Sequence, residues 1–273
     1  MKLKMILLLL VAAVFSQARE LRDIPYYPQD AKAQGNVEYR NERCKLHLSI
    51  PDKEKGFPTL VYLHGGGLTR GSGGFPKNID RTRAAVVAVN YRLSGARAKC
   101  PDYIYDAAAA VAWTVKNIEK YGGDPKKVYV TGHSAGGYLT AMIALDKKYL
   151  AAFGVDTHQI AGYFPVSGQM TTHFRVLGER RELDKSVPDF MVDEYAPVFH
   201  AAKNAPVMAF LVGDTNYDWP ARVEENALLA ARLIRVYKNK NVKFISIPHT
   251  AHGSCGPPSL AIINSWINPK KKR

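Results

Sequence analysis

Short apolar runs recur along the middle of the chain at intervals that suit a covered sheet. Runs of this kind, without polar residues at alternate positions, are typical of strands buried on both faces of a parallel sheet. They occupy Thr59–Leu63, Ala85–Val89, Val128–Thr131, Ile160–Val166, Pro206–Val212 and Val242–Ile247. They are separated by segments of helical periodicity, and strands that alternate with helices predict an α/β fold.

Two helical segments and one further strand complete the pattern. Within 104–118 and 223–237, apolar residues recur at steps of three and four, which predicts helices with one buried face. Residues 44–50 alternate between apolar and polar side chains, which predicts a half-buried antiparallel strand. Residues 169–200 fit this pattern least well and predict a small insertion over one end of the sheet. The predicted fold is a mostly parallel twisted sheet with helices on both faces.

The first residues have the pattern of an export signal. Lys2 and Lys4 precede the apolar stretch Met5–Phe15, and small residues follow up to Ala18. The stretch is short for a bilayer span, so we expect cleavage near Ala18 and a periplasmic or extracellular protein, with a retained anchor as the alternative. The expected organisation is a signal peptide over 1–18, an N-terminal extension over 19–40, one domain over 41–269 and a basic tail over 270–273.

Composition narrows the class of protein without naming a function. The chain has 273 residues, 47% of them hydrophobic, and a formal net charge of +14. These values exclude a disordered chain, a collagen and a small disulfide scaffold. The basic residues are scattered and no nucleic-acid motif accompanies them, so we expect no nucleic-acid partner. The cysteines Cys44, Cys100 and Cys255 leave at least one thiol unpaired, and their spacing indicates no zinc site.

The pentapeptide Gly132-His133-Ser134-Ala135-Gly136 is the strongest candidate for chemistry. It matches G-x-S-x-G and lies between a predicted strand and a helix that runs from Tyr138 to Leu145. The glycines permit the tight strand-to-helix turn that lifts a serine hydroxyl above the sheet. We therefore predict that Ser134 is a nucleophile, with a simple helix cap as the alternative.

A glycine run after the first buried strand is suited to placing N–H donors beside the negative charge that forms when a serine nucleophile attacks. Attack of a serine on a carbonyl group forms an oxyanion, which needs preorganised N–H donors. His64-Gly65-Gly66-Gly67 follows the strand Thr59–Leu63, and glycine allows close approach of the backbone. The predicted donors are the amides of Gly66 and Gly67, together with that of Ala135 after the nucleophile.

The base and the acid are expected on the loops after the last strands. His252 follows the last strand and is the predicted base, with His249 as its rival. The acid should lie between serine and histidine in chain order. In the loop after Val212 we favour Asp218 for reach, with Asp214 and then Asn216 as alternatives.

These motifs identify a resemblance. With Asn90-Tyr91-Arg92, Asp106-Ala107 and His252-Gly253 beside the two glycine motifs, residues 40–268 resemble an α/β-hydrolase of the esterase and lipase kind. The nearest branches are the hormone-sensitive-lipase-like carboxylesterases and the bacterial feruloyl- and acetylxylan-esterase-like proteins. Many relatives carry the acid three residues after the glycine, where this chain has Asn216. In the family, the Asn-Tyr-Arg and Asp-Ala segments are mainly architectural.

The resemblance implies a secreted serine carboxylesterase that acts through an acyl-enzyme on short-acyl (acetyl or feruloyl) esters. Its expected partner is a small-molecule or carbohydrate ester, and neither a metal, an organic cofactor nor a lasting membrane span is expected. The oligomeric state stays open. Two alternatives remain: an arylformamidase or peptidase on the same fold, and an inactive binding protein, which Asn216 would favour.

Overall fold

One mixed sheet of eight strands forms the centre of the described chain. The structure is a computed structural model and describes residues 18–28, 31, 35–52 and 55–269. The strands are β1 (Arg19–Pro25), β2 (Lys45–Ile50), β3 (Phe57–Leu63), β4 (Ala85–Val89), β5 (Gly123–His133), β6 (Gly162–Val166), β7 (Met208–Val212) and β8 (Val242–Ser246). They lie in the order β1-β2-β4-β3-β5-β6-β7-β8. Residues 1–17 of the predicted signal and the predicted tail 270–273 lie outside the described residues.

The sheet is parallel from β4 to β8 and antiparallel at its first edge. β3 runs parallel to both β4 and β5, and β6, β7 and β8 continue in the same direction. β2 is antiparallel to β4, as the alternation in 44–50 predicts. The mostly parallel sheet that the apolar runs predict is therefore confirmed. Because the carboxyl ends of β5 to β8 meet at one edge, the loops after these strands lie side by side.

The segment 19–40, which the sequence sets apart as an extension, contributes to this sheet. Its first residues form β1, which pairs antiparallel with β2 from Arg19 opposite Ile50 to Pro25 opposite Lys45. Its last residues enter the short helix α1 (Val37–Arg43), which Asn36 caps by accepting from the N–H of Tyr39. The extension thus adds an edge strand that hydropathy alone does not reveal.

Helices cover both faces of the sheet. They are α2 (Asp102–Asn117), α3 (Ala135–Leu145), α4 (Lys148–Ala151), α5 (Phe174–Arg181), α6 (Arg222–Ala231) and α7 (Gly256–Ile267), with a π-helical turn at Arg232–Val236 and short 3₁₀ turns at Ile118–Tyr121, Thr157–Gln159 and Pro197–His200. Helices α2, α3 and α6 pack with Val61 and Val87 on one face, and α7 packs with Leu60 and Val86 on the other. Adjacent residues of a strand point to opposite faces, which explains the continuous apolar runs.

Three smaller features bear on the predictions. Cys44, Cys100 and Cys255 are free thiols. The segment 169–200 contains α5 and the turn Pro197–His200 and otherwise runs as loop. In the described part of the chain, none of the helices combines the length and the apolar character that crossing a membrane requires.

Candidate active site

Ser134 lies at the turn between β5 and α3. Its backbone has φ 57° and ψ −116°, a strained conformation for a residue with a side chain. A Cβ on Gly136 would lie 2.0 Å from the carbonyl oxygen of Leu63, and one on Gly132 would lie 2.5 Å from the backbone of Gly136. The turn therefore needs both glycines of the motif. The Ser134 N–H donates to the carbonyl oxygen of Val166 at 2.8 Å, which ties the turn to β6.

The imidazole of His252 joins Ser134 to Asp218. Ser134 Oγ is 2.9 Å from His252 Nε2, and His252 Nδ1 is 3.0 Å from Asp218 Oδ1. The three residues come from the ends of β5, β7 and β8, which neighbouring strand ends bring together. With Nδ1–H donating to the carboxylate, Nε2 is left as an acceptor for the serine proton. The geometry suits proton transfer from serine to histidine.

Asp218 is held as a carboxylate by several donors. Burial alone would raise its pKa, but hydrogen bonds from His252, from Ser167 and from the N–H groups of Trp219 and Gly213 outweigh burial and lower the pKa to about 2. The side chain therefore keeps its negative charge at neutral pH and favours one orientation of the imidazole.

The alternative candidates take other positions. Asp214 accepts from the backbone N–H groups of His249 and Asn216 at 2.9 and 3.0 Å, and so braces the loop. Asn216 is exposed and donates its side-chain amide to Asp214. His249 is exposed rather than packed inward, and its backbone has a φ of 58°. The loop thus brings Asp218 to His252 and leaves Asp214 and Asn216 bonded to each other.

The glycine run lines the pocket that contains the nucleophile. Gly66 and Gly67 have φ values of 113° and 61°, and both line the same pocket as Ser134. A Cβ on Gly66 would lie 2.1 Å from the carbonyl oxygen of Arg70, so this tight turn excludes a side chain. Ala135, the third predicted donor, is the first residue of α3, next to Ser134.

His64 anchors this glycine turn to the sheet. Its ring stacks on Tyr91 with centroids 4.2 Å apart, and the Tyr91 hydroxyl donates to the His64 carbonyl oxygen at 2.7 Å. Burial lowers the pKa of His64 to about 4, against a hydrogen bond to the Gly65 carbonyl that raises it. His64 is therefore neutral at pH 7 and positions the loop.

The pocket above Ser134 is open and has aromatic walls. It has a volume of about 420 Å³, and its lining includes the half-exposed rings of Phe174 and Trp219. Trp219 stacks on the imidazole of His252 with centroids 3.9 Å apart and planes 15° apart. Phe174 begins α5 in the predicted insertion, so that insertion supplies one wall of the pocket.

The sequence did not indicate two contacts of the site. The hydroxyl of Ser167, at the end of β6, lies 2.8 Å from Asp218 Oδ2 and 3.0 Å from His252 Nδ1. Ser167 directly follows the apolar run of β6, the neighbour of β5, and this position is the signal that could have revealed its contacts. The ring N–H of His133 donates to the carbonyl oxygen of His252 at 2.7 Å, and burial lowers the pKa of His133. Among the described residues, no three His, Cys, Asp or Glu side chains are grouped to hold a metal ion.

Comparison with known proteins finds esterases and other ester-type hydrolases among the relatives. The family model described as BD-FAE matches residues 46–175. Esterase LipC of Mycobacterium tuberculosis (strain ATCC 25618 / H37Rv) is 29% identical over 220 residues, which cover 73% of this chain and 53% of that protein. Phenmedipham hydrolase of Pseudarthrobacter oxydans is 33% identical over 121 residues, which cover 40% of this chain and 24% of that one. The chain thus spans about half the length, or less, of these relatives.

Solved structures share the fold over almost the whole chain. A structure described as a truncated form of carbohydrate esterase from gut microbiota superposes with a TM-score of 0.69 at 17% identity, covering 94% of this chain and 97% of that one. An esterase of Pyrobaculum calidifontis superposes with a TM-score of 0.58 at 24% identity, covering 82% and 80%. At this identity the likeness concerns the fold.

The sheet order and the strand–Ser134–helix turn define the α/β-hydrolase fold, which these structures share. The family model and the sequence relatives show that parts of this chain are similar to carboxylesterase-like α/β-hydrolases.

Proposed function

We propose that this chain is an exported serine carboxylic-ester hydrolase that works through an acyl-enzyme on short-acyl (acetyl or feruloyl) esters. The observation that carries the proposal is the hydrogen-bonded series Ser134–His252–Asp218, with distances of 2.9 and 3.0 Å. It lies in an open pocket beside a glycine turn and has the geometry that a serine nucleophile needs.

The proposed reaction has two halves. His252 Nε2 takes the proton of Ser134 as Oγ attacks the acyl carbon, and the N–H groups of Gly66, Gly67 and Ala135 stabilise the oxyanion. The intermediate collapses, His252 gives its proton to the leaving alkoxide, and an alcohol departs. Water then attacks the acyl-enzyme and gives a proton to His252. The Ser134 ester bond breaks, His252 returns the proton to Ser134 Oγ, and the acid leaves. Asp218 stabilises the imidazolium throughout.

The shape of the pocket supports the proposed substrate class. Of the segment 169–200 only Phe174 lines the pocket, and the pocket is open to solvent, so a bulky alcohol can remain outside while a short acyl group reaches Ser134. The half-exposed rings of Phe174 and Trp219 suit flat or sugar-like groups. The description of one similar structure as a carbohydrate esterase agrees with this proposal. Action outside the cytoplasm rests on the export pattern of residues 1–18.

Hydrolysis of para-nitrophenyl acetate by the protein without residues 1–18 tests the activity, beside a Ser134→Ala variant. We expect turnover by the parent protein, none above background by the variant, and labelling of Ser134 by a fluorophosphonate. Faster turnover of para-nitrophenyl decanoate than of the acetate would contradict the short-acyl preference. Preference for an anilide over its ester would favour the peptidase or arylformamidase alternative, and absence of both labelling and turnover would favour the binding protein.

Export has its own test. Expression of the full chain, followed by fractionation and N-terminal sequencing, should give a protein outside the cytoplasm that begins near Arg19. A full-length protein that stays with the membrane fraction would support the retained anchor instead.

A further inference from the structure

Phe174 is the apolar side chain that the segment 169–200 places on the wall of the active-site pocket. It is the first residue of α5, is half-exposed and lines the pocket that contains Ser134. The proposed reaction gives this ring no chemical role. An aromatic ring that faces the pocket beside a nucleophile is nevertheless in a position to contact substrate. Its own contacts therefore bear on which substrates the pocket admits.

The ring of Phe174 is held against the glycine turn. A Cβ on Gly67 would lie 3.3 Å from Phe174 Cζ, so the tip of the ring reaches the turn that carries the proposed oxyanion donors. The face of the ring stacks on His173, with centroids 4.4 Å apart and planes 29° apart. The Phe174 N–H donates to Gln169 Oε1 at 3.1 Å. Contacts at the tip, the face and the backbone thus restrict movement of the ring.

His173 is a firm support for this ring. It is buried, and its ring centroid lies 4.9 Å from that of Tyr138, which is fully buried in α3. His173 Nδ1 accepts from the N–H of Arg175 at 3.1 Å, so the imidazole caps the start of α5. The same side chain therefore fixes both the ring of Phe174 and the helix that begins with it.

The proposed chemistry sets the direction of the alcohol. The carbon that Ser134 attacks bears the oxyanion, the leaving oxygen and the acyl chain. The oxyanion faces the glycine turn, and the leaving oxygen faces His252 Nε2, because it takes its proton from there. Trp219 stacks on the imidazole of His252 with centroids 3.9 Å apart, so this ring lies on the side of the alcohol.

The acyl chain then points away from His252, toward the rest of the pocket wall. An aliphatic chain is stabilised most by contact with an apolar surface. Outside the nucleophile, the base and the glycine turn, the aromatic rings of the lining are Phe174 and Trp219. The other lining side chains there are polar, namely those of Thr69, Arg70 and His133. With Trp219 on the alcohol side, Phe174 is the apolar surface that remains for the acyl chain.

We propose that Phe174 determines specificity by limiting the length of the acyl group. The inference rests on the proposed function and narrows it to esters of small aliphatic acids such as acetic acid, so that the longer feruloyl group is disfavoured. Because the ring tip already contacts the turn at Gly67 and its face contacts His173, the ring acts as a fixed wall. A long acyl chain would have to displace it.

A series of para-nitrophenyl esters tests the proposal, because only the acyl group changes along the series. The acetate, the hexanoate and the ferulate are each measured as kcat/KM. The parent protein should prefer the acetate to both others. Phe174→Ala should raise the hexanoate-to-acetate ratio about tenfold or more, because even one methylene admitted to an apolar pocket changes specificity by about tenfold. Phe174→Leu, which keeps part of the wall, should give an intermediate ratio.

Two control variants separate Phe174 from the other aromatic rings. Phe199→Ala removes the same ring from an exposed position of the segment 169–200 that does not line this pocket, and should keep the ratio. Trp219→Ala removes the ring that packs on His252, and should change activity on all three esters by a similar factor. A ratio that rises in Trp219→Ala or in Phe199→Ala as much as in Phe174→Ala would overturn the proposal.

The outcomes separate the limit on acyl length from ester hydrolysis itself. An active Phe174→Ala protein that keeps the parent's ratio would overturn the inference alone, as would a parent that prefers the ferulate to the acetate. A parent that hydrolyses none of the three esters would overturn the proposed function and the inference with it. Because the ring is half-exposed, we expect Phe174→Ala to fold, which circular dichroism checks. If only Phe174→Leu folds, its ratio decides in the same way.

Discussion

The hydroxyl of Ser167 donates a hydrogen bond to Oδ2 of Asp218 at 2.8 Å, on the carboxylate that contacts His252 through its other oxygen. Both oxygens of the acid are therefore fixed, one by the imidazole and one by a side chain from β6. The same hydroxyl lies 3.0 Å from His252 Nδ1, so it limits rotation of both partners. Ser167 is fully buried and has a φ of 46°, which shows that tertiary contacts hold this position.

Replacing Ser167 by alanine should lower kcat about tenfold and leave KM nearly unchanged, because a hydrogen bond to a charged group orients Asp218 without touching substrate. Steady-state kinetics on para-nitrophenyl acetate measures both constants. Ser259→Ala is the matched control, since Ser259 is also buried but donates to the Cys255 carbonyl oxygen within α7. An equal loss in both variants, or a change in KM alone, would contradict a positioning role.

The choice of acid predicts unequal effects of two variants in one loop. Asp218→Asn should lower kcat roughly 1,000-fold or more, because the imidazole loses the anion that orients it and stabilises its charged form. Asp214→Asn should cost less than about tenfold, because Asp214 contacts backbone N–H groups and Asn216 rather than His252. Circular dichroism of both variants checks the fold. A larger effect at Asp214 would move the acid assignment to that residue.

The glycine turn predicts that one added methyl group is enough to impair catalysis. Gly66→Ala places a Cβ against the Arg70 carbonyl oxygen at a φ of 113°, so the turn must shift and its N–H groups leave their positions. Removal of one oxyanion donor typically costs about 100-fold in kcat. Gly74→Ala is the control, because its Cβ meets nothing within 4 Å. Normal activity of Gly66→Ala would exclude this turn as the oxyanion site.

Because two buried histidines have lowered pKa values, we expect acid to destabilise the fold. Burial lowers the pKa of His64 to about 4, and burial together with the charge of Arg222 lowers that of His173 to about 3, from the usual 6.5. Between pH 6.5 and pH 4 the unfolded chain binds more protons than the folded protein. The free energy of unfolding is therefore highest above pH 6.5 and falls as the pH falls, by at most about 3 kcal/mol for each histidine at pH 4.

Thermal midpoints between pH 7 and pH 4 measure this dependence. His64→Gln should flatten the decline, whereas His158→Gln, at an exposed position, should leave it unchanged. A decline that is equally steep in the parent and both variants would show that other groups cause it.

Local sequence was enough to predict the elements that depend on neighbouring residues. The apolar runs predicted the parallel strands, because a strand buried on both faces leaves little room for polar side chains. The two glycines around Ser134, which lie four residues apart, predicted the strand-to-helix turn. At either position a Cβ would collide with neighbouring backbone atoms. Helix α6 begins at Arg222, one residue before its predicted start, and its last predicted residues form a π-helical turn. Helical periodicity does not distinguish these two forms.

Contacts between distant segments of the chain could not be predicted from local sequence. β1 pairs with β2 although five of its seven residues are exposed, so hydropathy gives it no signal. The hydrogen bond between Ser167 and Asp218 joins residues 51 apart, and neither residue type indicates it. The burial of Arg222, the first residue of α6, is likewise invisible in the sequence, where an arginine at a helix start is usually expected in solvent.

The sequence by itself determined the alternation of the buried strands with helices, the turn that presents Ser134 and the loop that carries His252, because short-range sterics and the burial pattern act along the chain. Only the tertiary structure decided which of Asp214, Asn216 and Asp218 contacts His252. All three lie within five residues of one loop, and the chain alone does not say which side chain turns inward. The ends of β5, β6, β7 and β8 meet at one edge of the sheet, and this arrangement determines that Asp218 is the residue that contacts His252.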